Sequence, residues 1–209
     1  MKDILFIHIP KNAGTSIAVA SRDIGCFVKG HDFRKSSFVE MKDLPPLILK
    51  QYITFAVVRN PWDRLWSAFN YLNSGGRNID DYRDSQKFIS KFGGNFQLFV
   101  KNGLAINYQN LVEQMHFRAQ HTWICDQNHN VLVDYVLRYE RLQEELNDFL
   151  SIQGRRPVKL PSVNVSHVDD YRQYFDDEMI RITEEVYSVD VSMFQYRFGS
   201  LQHNKNVML

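Results

Sequence analysis

The chain has 209 residues, with 25 Lys and Arg against 24 Asp and Glu, a formal net charge of +1. Hydrophobic residues at 44% and charged residues at 23% are the balance of a globular chain long enough to bury a sizeable core. The even charge argues against nucleic-acid binding by broad phosphate neutralisation; a small anionic ligand needs only a local cluster.

Cys26 and Cys125 are the only cysteines, too few for a disulfide framework, and both are expected as free thiols in a reducing compartment. No apolar run is long enough to span a bilayer. Lys2, Asp3, His8 and Lys11 interrupt the opening residues, which do not read as a signal peptide. The expectation is a cytoplasmic protein of one domain over residues 1–209, frayed over 200–209.

Ile4 to Ile9 is short and almost continuously apolar, the pattern of a buried parallel strand. A helix is predicted from Gly14 to about Arg22, then a strand over Cys26 to Val28 closed by Gly30. Residues 36–51 hold a helical pattern broken at Pro45-Pro46. Ile53 to Val58 is the strongest strand, and Pro61 sits where the first turn of a helix tolerates it. On that helix Trp62, Leu65, Trp66 and Phe69 share one face, which reads as core rather than a stacking platform. The middle third is helical, with Phe88, Phe92, Phe96, Phe99 and Leu104 packing around breaks at Gly75-Gly76, Gly93-Gly94 and Gly103. A late strand is predicted within 130–137, then an amphipathic helix through Leu142, Leu146 and Phe149, a loop over 153–166, and a last helix over 176–190 with Asp176 or Asp177 as cap. Strands alternating with helices imply an α/β fold, a P-loop-like parallel sheet flanked by helices.

The first strand empties into Pro-Lys-Asn-Ala-Gly-Thr-Ser, residues 10–16. A strand, a Gly-containing turn and a helix start place main-chain N–H groups where phosphate oxygens bind, helped by the helix's positive end. Lys11 adds a mobile positive charge, and Thr15 and Ser16 add hydroxyls. A capped helix beside a surface lysine would give the same letters. The common triphosphate loop, Gly-x-x-x-x-Gly-Lys-Ser/Thr, is not matched, because Lys11 precedes Gly14 and the first glycine is missing. The second junction narrows the choice. Arg59 ends a buried strand and Ser67 lies on the helix that follows, so an arginine fork and a hydroxyl can hold one phosphate from two sides. Arg64, Ser67 and Tyr71 share a face apart from the apolar stripe, and Asp63 with Arg64 fits a surface pair.

IPKNAGTS and VVRNPWDRLWSAFNY together resemble the two nucleotide-binding motifs of sulfotransferases that use 3'-phosphoadenosine 5'-phosphosulfate. The closest branch is the carbohydrate one, related to the uronyl and heparan 2-O-sulfotransferases. The resemblance continues through GHDF at 30–33, FRAQHTWICD at 117–126, VLRYERL at 136–142 and LPSVNVS at 160–166, so it covers most of the chain. It implies that Lys11, Asn12, Ala13, Gly14, Thr15 and Ser16 hold the 5' phosphosulfate, with Lys11 near the bridging oxygen. It further implies that Arg59 and Ser67 grip the 3'-phosphate, and that the loop from Arg155 to Ser166 closes over the nucleotide. The family prefers Thr where this chain has Asn12.

Sulfuryl transfer needs an acceptor hydroxyl in line with sulfur, a base, and positive charge at the departing phosphate, which Lys11 can supply. A histidine suits the base. His31, just past the second strand, matches the base of the 2-O-sulfotransferase relatives, which carry a second histidine where this chain has Lys29. His116 and His121 could each substitute for it. Arg118, Gln120, His121 and Asn164 are the candidates for binding the acceptor, a hydroxyl-bearing saccharide or glycolipid. A lipid-linked acceptor would make the protein peripheral to a membrane. No histidine spacing resembles a zinc site, and the chemistry needs no metal. Two other readings stay open: an ATP-dependent, kinase-like phosphotransferase, and a catalytically inactive nucleotide-binding module.

Overall fold

A computed structural model of the chain describes residues 2–30, 40–111, 114–161 and 170–200. In chain order the elements are β1 (Asp3–His8), α1 (Gly14–Val19), α2 (Ser21–Ile24), β2 (Cys26–Gly30), α3 (Pro46–Leu49), β3 (Tyr52–Val58) and α4 (Pro61–Asn73). There follow α5 (Ile79–Asp84), α6 (Phe96–Leu98), α7 (Ala105–Leu111), α8 (His121–Ile124), β4 (Tyr135–Arg138), α9 (Leu142–Ile152), α10 (Asp177–Val186) and α11 (Ser188–Met193). They group into two compact units: the described parts of Met1–Arg59 with Gln120–Val165, and of Asn60–Ala119 with Ser166–Ser200. The chain leaves the first unit after Arg59 and returns at Gln120 without a linker-like change of composition.

The first unit holds a four-stranded sheet in the order β2-β1-β3-β4, and every pairing is parallel. Alternate residues point to opposite faces of a strand. One face, Ile4 and Phe6 on β1 with Phe55 and Val57 on β3, is sealed by Ile17 of α1, Ile24 of α2, and Leu146 and Phe149 of α9. On the other face Leu5, Ile7 and Ala56 are buried as well. Strands covered on both faces explain the near-continuous apolar runs.

Local chemistry accounts for the departures from the expected elements. The helix expected over Gly14 to Arg22 breaks at Ala20, where Ser21 Oγ donates to the Ala18 carbonyl at 2.8 Å. The late strand starts only at Tyr135. Just before it, Asp134 Oδ2 accepts the Thr54 N–H and hydroxyl at 2.7 and 2.8 Å. Val131 instead bridges Cys125 antiparallel, across a turn in which Asp126 Oδ1 accepts the N–H groups of Asn128 and Asn130. Both cysteines are free, and burial raises the Cys26 thiol to about 11.

The second unit is helical. Asn60 caps α4 by accepting the Trp62 N–H at 3.1 Å, with Pro61 opening the helix. Leu65 and Phe69 of α4 meet Phe96, Phe99 and Phe117 in one aromatic core, with Phe88 and Leu104 buried in it and Phe92 and Trp66 against it. Trp62 is buried, as its apolar face requires, and its Nε1 donates to the Ile180 carbonyl at 3.1 Å. Gly75, Gly76, Gly93 and Gly94 take left-handed backbone and break the helices. Gly103 does not: it lies inside a π-helical stretch, Phe99–Leu104, and an added Cβ would come 2.6 Å from the Phe92 ring. Close approach, not a turn, is what demands glycine there. The expected last helix divides into α10 and α11, and Asp176 caps the first by accepting the Met179 N–H at 2.9 Å.

Arg64 is buried rather than on a surface pair, with Nη1 donating to the Arg118 carbonyl at 2.9 Å. Tyr71 gives its hydroxyl to Asp81 at 2.5 Å, and burial together with that bond raises its phenol. No helix among the described residues is long and apolar enough to cross a membrane. Residues 31–39, 162–169 and 201–209 lie outside the described set, and with them part of the expected 36–51 helical pattern, the end of the 153–166 loop and most of the expected frayed tail.

On α9 the buried Glu145 accepts the Arg138 N–H at 2.7 Å, which anchors the exit of β4. Burial pushes its carboxyl upward, against the pull of that bond and of Arg138. A carboxyl raised in the fold binds its proton more tightly there than in the unfolded chain. Its stabilising effect is therefore full below the unfolded pKa and is lost as pH rises through the raised value. Thermal melts from about pH 4 to about pH 7 should show this against Glu145→Gln, which keeps an oxygen for Arg138. The melting temperature of the parent, relative to the variant, is expected to fall as pH rises; a constant difference would contradict the assignment.

Candidate functional site

In an open parallel sheet, ligands gather outside the carboxyl ends of the strands. Here β1 ends at His8, and the chain turns through Pro10 to Ala13 into α1. Lys11 and Ala13 both have left-handed backbone, with φ of 71° and 60°. That conformation costs a residue with a side chain about 1–2 kcal/mol, so the surrounding contacts must hold it. Ala13 stands at the cap position of α1, where no side chain takes a bond from the first turn. The first-turn N–H groups, from Gly14 to Ser16, thus belong to the kind of helix start that receives anions.

Gly14 is required by its neighbour. His8 lies on the same face of β1 as Phe6, is buried, and has its ring 5.9 Å from that of Phe6. A Cβ on Gly14 would come 1.7 Å from His8 Nε2. The loop can lie against the strand only because residue 14 has no side chain.

A hydrogen-bonded circuit holds the loop to the end of β3. Asn12 is fully buried, and its Nδ2 donates to the Val57 carbonyl at 2.7 Å and to Gln120 Oε1 at 2.8 Å. Gln120 Oε1 also accepts the Arg59 N–H at 2.9 Å, while its Nε2 donates to the Arg59 carbonyl at 2.8 Å. The Arg59 side chain closes the circuit: Nη1 donates to the Lys11 carbonyl at 3.0 Å. Its guanidinium carbon stands 4.1 Å over the Tyr139 ring, a cation–π contact. Lys11 and Arg59, two cations 48 positions apart, are thereby tied at the ends of adjacent strands.

The other expected site residues are distributed as follows. Arg155 donates through Nη1 to the carbonyls of Ile24 and Gly25 at 2.9 and 2.7 Å, and through Nη2 to that of Lys2 at 3.3 Å. Those groups precede β2 and β1, so Arg155 is at the opposite strand ends from the loop and is not brought to it. Gln120, expected on the acceptor side, has no exposed surface and spends its amide on Asn12 and Arg59. Asn12 likewise turns its amide inward, as a brace. Ser67, on α4, and Arg118 belong to the second unit and are half-buried. There His116 is buried, with Nδ1 2.9 Å from the Gln114 amide. His121 opens α8 in the first unit, its ring 5.2 Å from that of His129. His31, Asn164 and Ser166 lie outside the described residues.

Sequence reasoning missed the roles of Gln120 and Tyr139 and the contact of His8 with Gly14. The first two have no local signal, since Gln120 and Tyr139 meet Arg59 only across the fold, and the third depends on how the loop turns back onto β1. The Asn60 cap did have one: an asparagine immediately before a helix-opening proline.

The loop and the residue that follows β3 carry groups that suit anionic oxygen: main-chain N–H groups, the Thr15 and Ser16 hydroxyls, Lys11 and Arg59. They fit a phosphorylated nucleotide. No group of three or more His, Cys, Asp or Glu is placed to hold a metal ion among the described residues. A family model described as "Sulfotransferase family" matches residues 1–197. A search of curated proteins finds no match.

The Gly14–His8 apposition is testable. Gly14→Ala is expected to cost about 1–3 kcal/mol of stability by overpacking, read from chemical denaturation. His8→Ala in the same chain should recover most of that loss. Equal destabilisation with and without His8 would show that the ring is not what excludes a side chain.

Proposed function

The chain belongs to the sulfotransferase family, and from that premise we propose that it transfers a sulfuryl group from 3'-phosphoadenosine 5'-phosphosulfate to an acceptor hydroxyl on a carbohydrate or glycolipid. The observation that carries this reading is the bond at 3.0 Å from Arg59 Nη1 to the Lys11 carbonyl, which ties the guanidinium at the end of β3 to the main chain of the loop. When bound, the donor nucleotide supplies an activated sulfuryl group on a phosphate leaving group. The N–H groups of Gly14, Thr15 and Ser16 and the two hydroxyls hold the 5' oxygens, as a P-loop-like cradle does. Lys11 would supply positive charge to the departing oxygen. Arg59, backed by Tyr139, offers a planar fork to the 3'-phosphate.

For the base we propose His31. It follows Gly30, the last residue of β2, which pairs with His8 at the end of β1, the strand that leads into the loop. His121 remains the second candidate in the first unit and is proposed to meet the acceptor. An ATP-dependent phosphotransferase is disfavoured, because the Gly-Lys-Ser/Thr order of the triphosphate loop is absent from residues 10–16.

Calorimetric titration with 3'-phosphoadenosine 5'-phosphate, against ATP and ADP, tests the donor class. The bisphosphate should bind more tightly, and Arg59→Ala should weaken it by about tenfold to a hundredfold. Lys11→Ala and His31→Ala should act mainly on turnover, each by about a hundredfold or more. Equal binding of ATP would move the protein to the phosphotransferases. Full turnover by His31→Ala at saturating substrates would transfer the base to another residue. Bisphosphate binding without any turnover would leave an inactive nucleotide-binding module.

A further inference from the structure

Resting on the sulfotransferase reading, we infer that Gln120 is a positioning residue that locks Arg59 to the phosphate loop and so sets the preference for a nucleotide bearing a 3'-phosphate. Its carboxamide makes, with the N–H and carbonyl of the single residue Arg59, the two bonds that the main chain of a neighbouring strand would make. The ladder between β3 and β4 ends at Val58 and Arg138. Gln120 carries the pairing one residue further on β3, to the residue whose guanidinium reaches Lys11.

The atoms match in only one sense. Gln120 Oε1 receives two donors, the Arg59 N–H and Asn12 Nδ2, and Nε2 faces an acceptor, the Arg59 carbonyl. Asn12 Nδ2 faces two acceptors, Gln120 Oε1 and the Val57 carbonyl. A carboxamide is the uncharged side-chain end that offers donor and acceptor side by side. Gln120 and Asn12 are both fully buried, so a mismatch leaves polar groups without water to repair it. The circuit then runs from Lys11 to its neighbour Asn12, through Gln120 to the Arg59 main chain, and back through the guanidinium to the Lys11 carbonyl. Every link lies within the first unit.

With the circuit closed, the main chain of the loop and the guanidinium at the end of β3 keep one separation, and a ligand that meets both binds without first ordering them. With it open, Arg59 can still attract a phosphate but is no longer held in register with the loop. The loss therefore falls on the 3'-phosphate preference rather than on affinity for the 5' group.

The test compares 3'-phosphoadenosine 5'-phosphate with adenosine 5'-phosphate by calorimetry on the full chain, reading the ratio of their dissociation constants. The parent is expected to favour the first by about tenfold to a hundredfold. Gln120→Ala should reduce that ratio by about tenfold while adenosine 5'-phosphate binds within about threefold of the parent. Gln120→Glu supplies an independent reading. Ionised, it presents an acceptor to the Arg59 carbonyl and should lose the preference. A buried carboxyl is raised in pKa, so on acidification it protonates, regains a donor, and should restore the ratio. The parent measured over the same range corrects for titration of the nucleotide.

A parent that does not prefer the 3'-phosphate would overturn the sulfotransferase reading, and this inference with it. A parent that prefers it, alongside folded Gln120→Ala with an unchanged ratio, would overturn the inference alone. So would equal weakening of both nucleotides, which marks a merely structural residue. If Gln120→Ala does not fold, Gln120→Glu decides: loss at alkaline pH, where the carboxyl is ionised, with recovery on acidification supports the inference, and a ratio unchanged from alkaline to acid pH overturns it.

Discussion

The left-handed backbone of Lys11 goes with a carbonyl that accepts from the Arg59 guanidinium at 3.0 Å, the contact that closes the circuit between the loop and the end of β3. A strained main chain is not held by its own preferences. It is held because the bond to Arg59, the buried amide of Asn12 and the missing side chain of Gly14 each remove an alternative. Strain of this kind collects where a protein binds or reacts. What it secures here is a fixed relation between a lysine and an arginine that the chain places in different strand-to-helix junctions.

The sheet explains why two junctions so distant in sequence meet. β1 and β3 are adjacent and parallel, so their carboxyl ends open on the same side, and the residues that follow them lie at one end of the sheet. Both strands are buried on both faces, which keeps their ends from shifting. Glu145 extends the same support to β4 by anchoring Arg138, and the next residue, Tyr139, backs the Arg59 guanidinium. Packing, strand register and the site's charge are thus links of one chain of causes.

Much of this was legible in the sequence because it is written in local pattern. Continuous apolar runs announced β1 and β3 to within a residue, and a proline at the right place announced α4. Lys11, Gly14 and Arg59 stood out because phosphate-binding chemistry puts such residues at strand ends. What stayed hidden is non-local. Gln120 reads as a polar residue among others until the fold sets its amide against Arg59, 61 positions away. Arg155 reads as a loop cation, yet its guanidinium is spent on the Ile24, Gly25 and Lys2 carbonyls at the other strand ends. Gly103 reads as a breaker, whereas the ring of Phe92 is what leaves no room for a side chain.

In the function proposed, the loop and Arg59 hold the two ends of one nucleotide. A crystal structure with 3'-phosphoadenosine 5'-phosphate tests it most directly. The 5'-phosphate should lie within hydrogen-bond distance of the Gly14, Thr15 and Ser16 N–H groups and the 3'-phosphate on the Arg59 guanidinium. The nucleotide bound away from residues 10–16, or with its 3'-phosphate in the loop and Arg59 facing neither phosphate, would contradict it.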